Sequence, residues 1–287
     1  MSNMKIDKNK LIKTIIFSII IIFVVAIILF PIIYMLPAAF KNKREIWAIP
    51  PDYHWWPKVF SLRNFKKVLS GNLVNDYNFL SSFGSTALVS VVAVVSSLIV
   101  NMFAAYVFAN FEFRGKNFLW YYFLITMFIP GITILLTSIR VVSVLQMTDT
   151  LAVLIIPGLV SAYNIFFFRQ FYFGIPRSLE EAAIIDGCSR FRIFFKVFFP
   201  MSVTPMVIIG VSVFMGYWNS FMWPTLTVVN NSKIAQVMQV IRVLNSTYSG
   251  EYGIVIAATM LSIIIPLTLF AIFQKKIIAG IAISGLK

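Results

Sequence analysis

Six stretches of this chain carry no charged residue: 14–40, 77–111, 117–139, 150–168, 197–232 and 252–274. An apolar helix needs about 20 residues to cross the hydrocarbon core of a bilayer. Each stretch is that long, and 150–168 only just. Lipid admits helices or closed barrels, because every backbone polar group must be satisfied internally. The period-two alternation of a barrel strand is absent. The expected fold is an all-α polytopic membrane protein with six transmembrane helices. Composition agrees: 60% of the 287 residues are hydrophobic and 12% charged, against about 25% charged in a soluble domain.

Lys and Arg set the orientation. With the N-terminus inside, the inner segments hold Lys5, Lys8, Lys10, Lys13, Arg114, Lys116, Arg177, Arg190, Arg192, Lys196, Lys275, Lys276 and Lys287. The second and third outer loops hold only Arg140, Lys233 and Arg242. The first outer loop, 41–76, is basic and departs from the pattern, but the rule weakens for longer loops. The reading is N-in/C-in. It gives a cytoplasmic tail 1–13, a membrane domain 14–274 and a cytoplasmic tail 275–287. The first stretch is longer than a signal-peptide core of about 7–15 residues, so it reads as a retained span. The net charge of +14 lies in short loops and tails, where anionic lipid head groups are its partners rather than nucleic acid. The lone Cys188 excludes an internal disulfide. Trp47, Pro50, Pro51, His54, Trp55, Trp56 and Pro57 crowd the first outer loop. They read either as interfacial anchors or as a contact for an extracellular partner.

A polar segment at 178–200 interrupts the apolar pattern. Ser178 three residues before Glu181 is a capping-box spacing. Leu179, Ala182, Ala183 and Asp186 extend a short helix, and Gly187 can take the positive φ that ends one. Phe191, Phe194, Phe195 and Phe198 then fall at i, i+3, i+4 and i+7, as one face of a second helix. That face suits the membrane surface. An ordinary interfacial helix explains the phenylalanines and cations. It leaves the acidic turn, the alanine pair and the glycine stop unexplained.

Glu181-Ala182-Ala183-x-x-Asp186-Gly187, with Pro200 downstream, resembles the EAA loop of ATP-binding-cassette importer permeases. Cys188 stands where that family usually has Ala. The resemblance extends through Glu45-Ile46, Pro50, Asn64-Phe65, Phe111-x-Phe113-x-Gly115-Lys116 and Trp218-Asn219-x-Phe221-x-x-Pro224. The closing 280–287 matches a glycine-rich family tail only in part. The likeness is to the second, six-span permease of maltose-type carbohydrate systems. It implies a cytoplasmic coupling helix in a loop at 175–199, with Glu181, Ala182, Ala183, Asp186 and Gly187 docking into an ATPase groove. It further implies a second homologous permease, two ATP-binding-cassette ATPases holding Mg-ATP, an extracytoplasmic solute-binding protein and a plasma-membrane location. The polar outer segment 229–252 corresponds to the loop that enters the binding protein in such systems.

The chain itself lacks a G-x-x-x-x-G-K-[ST] phosphate loop, so it is not the ATPase. No cluster suggests a metal or a catalytic centre, and His54, the sole histidine, reads as a surface residue. A single-chain secondary carrier or facilitator for a neutral solute is the competing reading, with a membrane enzyme third. Proton- and ion-coupled carriers keep ionisable groups inside the membrane, and the six stretches have none. Tyr217, Trp218 and Asn219 in the fifth stretch, with Tyr163 and Asn164 in the fourth, are substrate-path candidates. An aromatic face beside a neutral hydrogen bonder suits a sugar ring, and small and polar side chains equally serve helix packing.

Overall fold

A computed structural model describes residues 8–50, 52–71 and 76–284, with side chains placed within 11–278. Lys5, Pro51 and the closing Gly285, Leu286 and Lys287 lie outside the described residues. Helix α1 (Lys8–Ala38) is apolar on every side, and its most apolar 18-residue window buries nothing within the chain, as a helix solvated by lipid can. Short α2 (Lys43–Ile46) and α3 (Arg63–Leu69) follow, then the long α4 (Phe79–Asn110). Next come α5 (Lys116–Thr126), α6 (Gly131–Val144), α7 (Leu151–Ile155) with a 3-10 turn at Ile156–Gly158, and α8 (Ala162–Phe173). The polar loop holds α9 (Arg177–Ile185) and α10 (Arg190–Ile193). A π-helical stretch, Phe194–Phe198, leads into α11 (Phe199–Met201) and α12 (Val203–Trp218). Then α13 (Met222–Thr227), α14 (Val237–Thr247) and α15 (Tyr252–Ser284) complete the chain. No strand occurs among the described residues.

Three helices are long and apolar enough to cross a membrane unbroken: Leu11–Ala38, Phe79–Asn110 and Tyr252–Ile278. Three further crossings are bent pairs. Lys116–Thr126 and Gly131–Val144 meet at 105°, Leu151–Gly158 and Ala162–Phe173 at 45°, and Arg190–Met201 and Val203–Trp218 at 79°. Six crossings result when each pair counts as one. Proline explains the breaks, since it lacks an N–H and its ring clashes with the carbonyl four residues back. Pro130 follows the end of α5, Pro157 stands in the 3-10 turn, and Pro205 acts against Met201 at the α11–α12 bend.

Two corrections concern these crossings. Helices α6 and α8 run past the charges that bounded the sequence windows, so Arg140 and Arg169 lie inside them. Arg169 is accommodated by Phe108, whose carbonyl accepts its Nε–H at 3.1 Å, and by the rings of Trp120 and Phe173 at 4.0 and 4.5 Å. The four phenylalanines also do not share one face. The π-helical stretch regroups them as two i,i+4 pairs: Phe194 and Phe198 are buried, whereas Phe191 and Phe195 are exposed, their ring centroids 4.8 Å apart.

The chain divides into two compact units, Met1–Ser70 with Leu244–Leu261, and Gly71–Val243 with Ser262–Lys287. In the first, Asn64 Nδ2 donates to the carbonyls of Ala39 and Lys41, at 2.8 and 2.9 Å, and closes the end of α1. Trp55 packs on Phe30 and Tyr34, and Trp47 donates to the Gly250 carbonyl. Lys41 is buried, donates to the His54 carbonyl, and lies over the Tyr53 ring. Burial pushes its pKa down, against a smaller upward pull from Glu45. In the second unit, α4 packs chiefly against α8 and α12. Its inward face is a run of small residues, Thr86, Ser90, Ala93, Ser97 and Ala105, all buried. Small side chains let helices approach closely in lipid.

Candidate functional site

Two places in the second unit carry the sequence candidates. The first is the polar loop. Its helix α9 begins two residues earlier than a Ser178 cap requires. Pro176 occupies the N-cap and no side chain caps it, so the capping box between Ser178 and Glu181 does not form. Proline fixes φ in a helix-compatible range and sets the start instead. The other end is a Schellman motif. Cys188 N–H bonds the Ala183 carbonyl at 2.9 Å, Gly187 N–H bonds the Ile184 carbonyl at 3.0 Å, and Gly187 takes φ +73°. This is the six-to-one and five-to-two pairing that satisfies orphan carbonyls at a left-handed residue.

On α9, Glu181, Ala182, Asp186 and Gly187 are exposed, while Ala183 and Cys188 pack against the core. Leu179, Ile184 and Ile185 are exposed too, Ile185 by 85%. The acid that binds the loop to the bundle is Glu180, which the sequence did not single out. Its Oε2 accepts from Asn110 Nδ2 at 2.8 Å, and its Oε1 accepts from Arg190 Nη1. Tyr106 Oη also donates to the Arg190 carbonyl, at 3.1 Å. The C-terminal end of α4 is thereby tied to both helices of the loop.

The second place is a cavity of about 570 Å³ walled by α4, α6, the α7–α8 bend, α12 and α13. Of the sequence candidates, Tyr163, Asn164 and Tyr217 line it. Trp218 does not: it is buried against Phe214 and Phe83, and its Nε1 donates to the Ser262 carbonyl. Asn219 also stands off the wall, exposed at the end of α12, with Nδ2 on its own helix's Met215 carbonyl at 2.9 Å. Ser220, next to the cluster at 217–219, joins the wall, as do Ser138, Ser212, Trp223 and Gln236, which the sequence did not point to.

The broken helix beside the cavity is held by side chains from elsewhere. Pro157 cannot donate to Val153, and the Val153 carbonyl accepts from Trp223 Nε1 at 2.9 Å. Tyr217 Oη donates to the Ile155 carbonyl at 3.3 Å. Fully buried Asn101 bridges the bend, donating to Leu159 O at 2.7 Å and accepting from Ser161 N at 2.8 Å. Asp149, just before α7, accepts from the backbone amides of Val229 and Asn230 and from the Asn230 side chain. Burial works to raise its pKa, but these hydrogen bonds together hold it below the usual value. No group of residues suited to a metal occurs among the described residues.

Residues 97–280 match the family described as binding-protein-dependent transport system inner membrane component. The chain is 29% identical over 265 residues to the arabinooligosaccharides transport system permease protein AraQ of Halalkalibacterium halodurans, covering 92% of this chain and 93% of that protein. It is 28% identical over 260 residues to the sn-glycerol-3-phosphate transport system permease protein UgpE of Escherichia coli, covering 90% and 92%. Its fold is similar to a chain in the crystal structure of a bacterial ABC transporter involved in the import of the acidic polysaccharide alginate. There the TM-score is 0.80 at 21% identity, over 96% of this chain and 99% of that one.

Proposed function

The chain belongs to the family of binding-protein-dependent transport system inner membrane components, and on that premise we propose that its cargo is a sugar or oligosaccharide. It is a permease subunit and not an enzyme. Membership sets aside the single-chain carrier, because such a permease works with a solute-binding protein and a separate ATPase. The finer assembly is one second, homologous permease and two ATP-binding-cassette ATPases, in a plasma membrane, with both termini of this chain cytoplasmic. Mg-ATP would be held by the ATPases and not by this chain.

The observation that carries the reading is the exposed α9 with its Schellman stop. Leu179, Ile184 and Ile185 are large apolar side chains exposed on different sides of α9, as suits a short helix seated in a groove of a partner. Acidic Glu181 and Asp186 stand on the same short helix, ready for cationic or donor groups of an ATPase groove. Movement of that groove reaches the bundle through Glu180 and Arg190, which tie α9 to α4, and α4 forms part of the cavity wall.

The test is ATP hydrolysis by the reconstituted complex with sugar-loaded binding protein. Gly187→Val forces a β-branched residue to φ +73°, where it is a strained outlier. Glu181→Lys reverses a charge on the exposed face. Each change is expected to bring sugar-stimulated hydrolysis to background while the subunits still insert. Wild-type stimulation in both variants would show that α9 is no coupling element.

A further inference from the structure

The wall of the cavity contains no Asp, Glu, Lys, Arg or His. It is nonetheless rich in hydrogen-bonding groups, and these fall into two sets. Tyr217, Trp223 and Gln236 direct theirs to the framework, on Ile155, Val153, Ser85 and Ile234. The second set has no hydrogen-bond partner for its side chains among the described residues: Ser138, Tyr163, Asn164, Ser212 and Ser220. Asn164 is the most telling of them. It is 7% exposed, its backbone N–H is taken by Ser161 Oγ, and its unbonded amide belongs to a residue of the cavity wall. The buried side-chain atoms without a partner among the described residues are Ser82 Oγ, Ser90 Oγ and Tyr172 Oη, so the Asn164 amide atoms retain accessible surface and open onto the cavity, where a ligand or water can complete their hydrogen bonds.

We infer that this cavity passes an uncharged sugar and rejects one that carries a carboxylate or a phosphate. The inference rests on the carbohydrate reading above. Hydroxyls and an amide can exchange bonds with the hydroxyls of a neutral ring, and the exposed ring of Tyr163 offers a flat apolar surface beside them. An anionic sugar would leave water and meet no cation on this wall, and an unpaired charge in a low-dielectric site is strongly disfavoured. Arg140 does not supply one. It stands two positions after Ser138, about 200° around the helix, and does not line the cavity. The solutes named for the relatives differ on this point: arabinooligosaccharides are neutral, whereas glycerol phosphate and alginate are anions. The wall chemistry sides with the neutral class.

The cavity's charge preference can be read apart from the binding protein. Cys188 is the sole cysteine, so Cys188→Ser with Ser212→Cys places one thiol on the cavity wall at little steric cost. In the complete reconstituted transporter, its rate of modification is measured with a neutral and with an anionic methanethiosulfonate reagent. Each rate is divided by that of a free small thiol. The anionic reagent is expected to be slower by about tenfold or more, a factor worth a single decade of affinity. Arabinotriose with loaded binding protein and ATP is expected to protect the thiol, and sn-glycerol 3-phosphate is expected not to. Equal normalised rates, or equal protection by both solutes, would overturn the inference and leave the importer reading intact. Uptake of labelled arabinotriose and of an alginate trisaccharide by wild-type vesicles tests the carbohydrate reading by itself. Transport of neither would sink that reading whatever the thiol reports.

Discussion

Gly158 shows how closely single atoms are fitted at the cavity wall. A Cβ built there would lie 2.2 Å from Tyr217 Oη, closer than any real contact. The glycine is needed for space, so that the phenol can reach the Ile155 carbonyl. Gly158→Ala should displace the ring and lower stability by about 1–3 kcal/mol, the usual cost of overpacking. Adding Tyr217→Phe removes the clashing oxygen and should recover part of that loss, so the two changes should be non-additive. Thermal melting of the purified complex reports both effects. A Gly158→Ala protein that melts like wild type would show that Tyr217 moves aside freely.

At the scale of elements, the broken crossings depend on polar side chains far away in sequence. Asn101 reaches across 58 and 60 positions to Leu159 and Ser161. Asn101→Leu strands a carbonyl and an N–H at the bend, each worth about 1–3 kcal/mol when buried unpaired. Asn101→Asp keeps the acceptor for Ser161 but turns a carboxylate toward the Leu159 carbonyl, and an unpaired buried charge is strongly disfavoured, so its melting temperature should fall at least as far as that of Asn101→Leu. A smaller loss in Asn101→Asp would mean that the bond from Ser161 N–H outweighs the buried charge. This element also marks how far the sequence could be read. The crossings were legible because lipid demands long apolar helices. The partners that satisfy freed carbonyls were not, since nothing local in Trp223 or Asn101 points to Val153 or Leu159. The cavity was half legible for a related reason. Tyr217 and Trp218 are adjacent and thus about 100° apart around the helix, so one faces the cavity and the other packs on Phe214. Composition picks out the cluster, and only packing tells which member faces inward.

At the scale of the whole molecule, the coupling role proposed for α9 requires a push on that helix to reach the membrane, and Glu180 is placed to carry it. Its side chain is 15% exposed and takes hydrogen bonds from Asn110 on α4 and Arg190 on α10. The ion pair alone is a modest link, because the Arg190 side chain is half exposed and such pairs are worth about 0.2–1 kcal/mol. The bond from Asn110 is the one that crosses to the bundle. Glu180→Gln keeps the shape and an acceptor for Asn110, and so should raise the ATP consumed per sugar only slightly. Glu180→Ala severs both bonds and leaves α9 joined to α4 indirectly, through Tyr106 and the Arg190 carbonyl. Its hydrolysis should persist while uptake drops, a split that simple unfolding cannot produce because unfolding lowers both. The ratio of phosphate released to sugar accumulated in reconstituted vesicles is the measurement. If Glu180→Ala keeps the wild-type ratio, force passes from α9 to the bundle by another route, through the packing of half-buried Ala183 and Cys188 against the core.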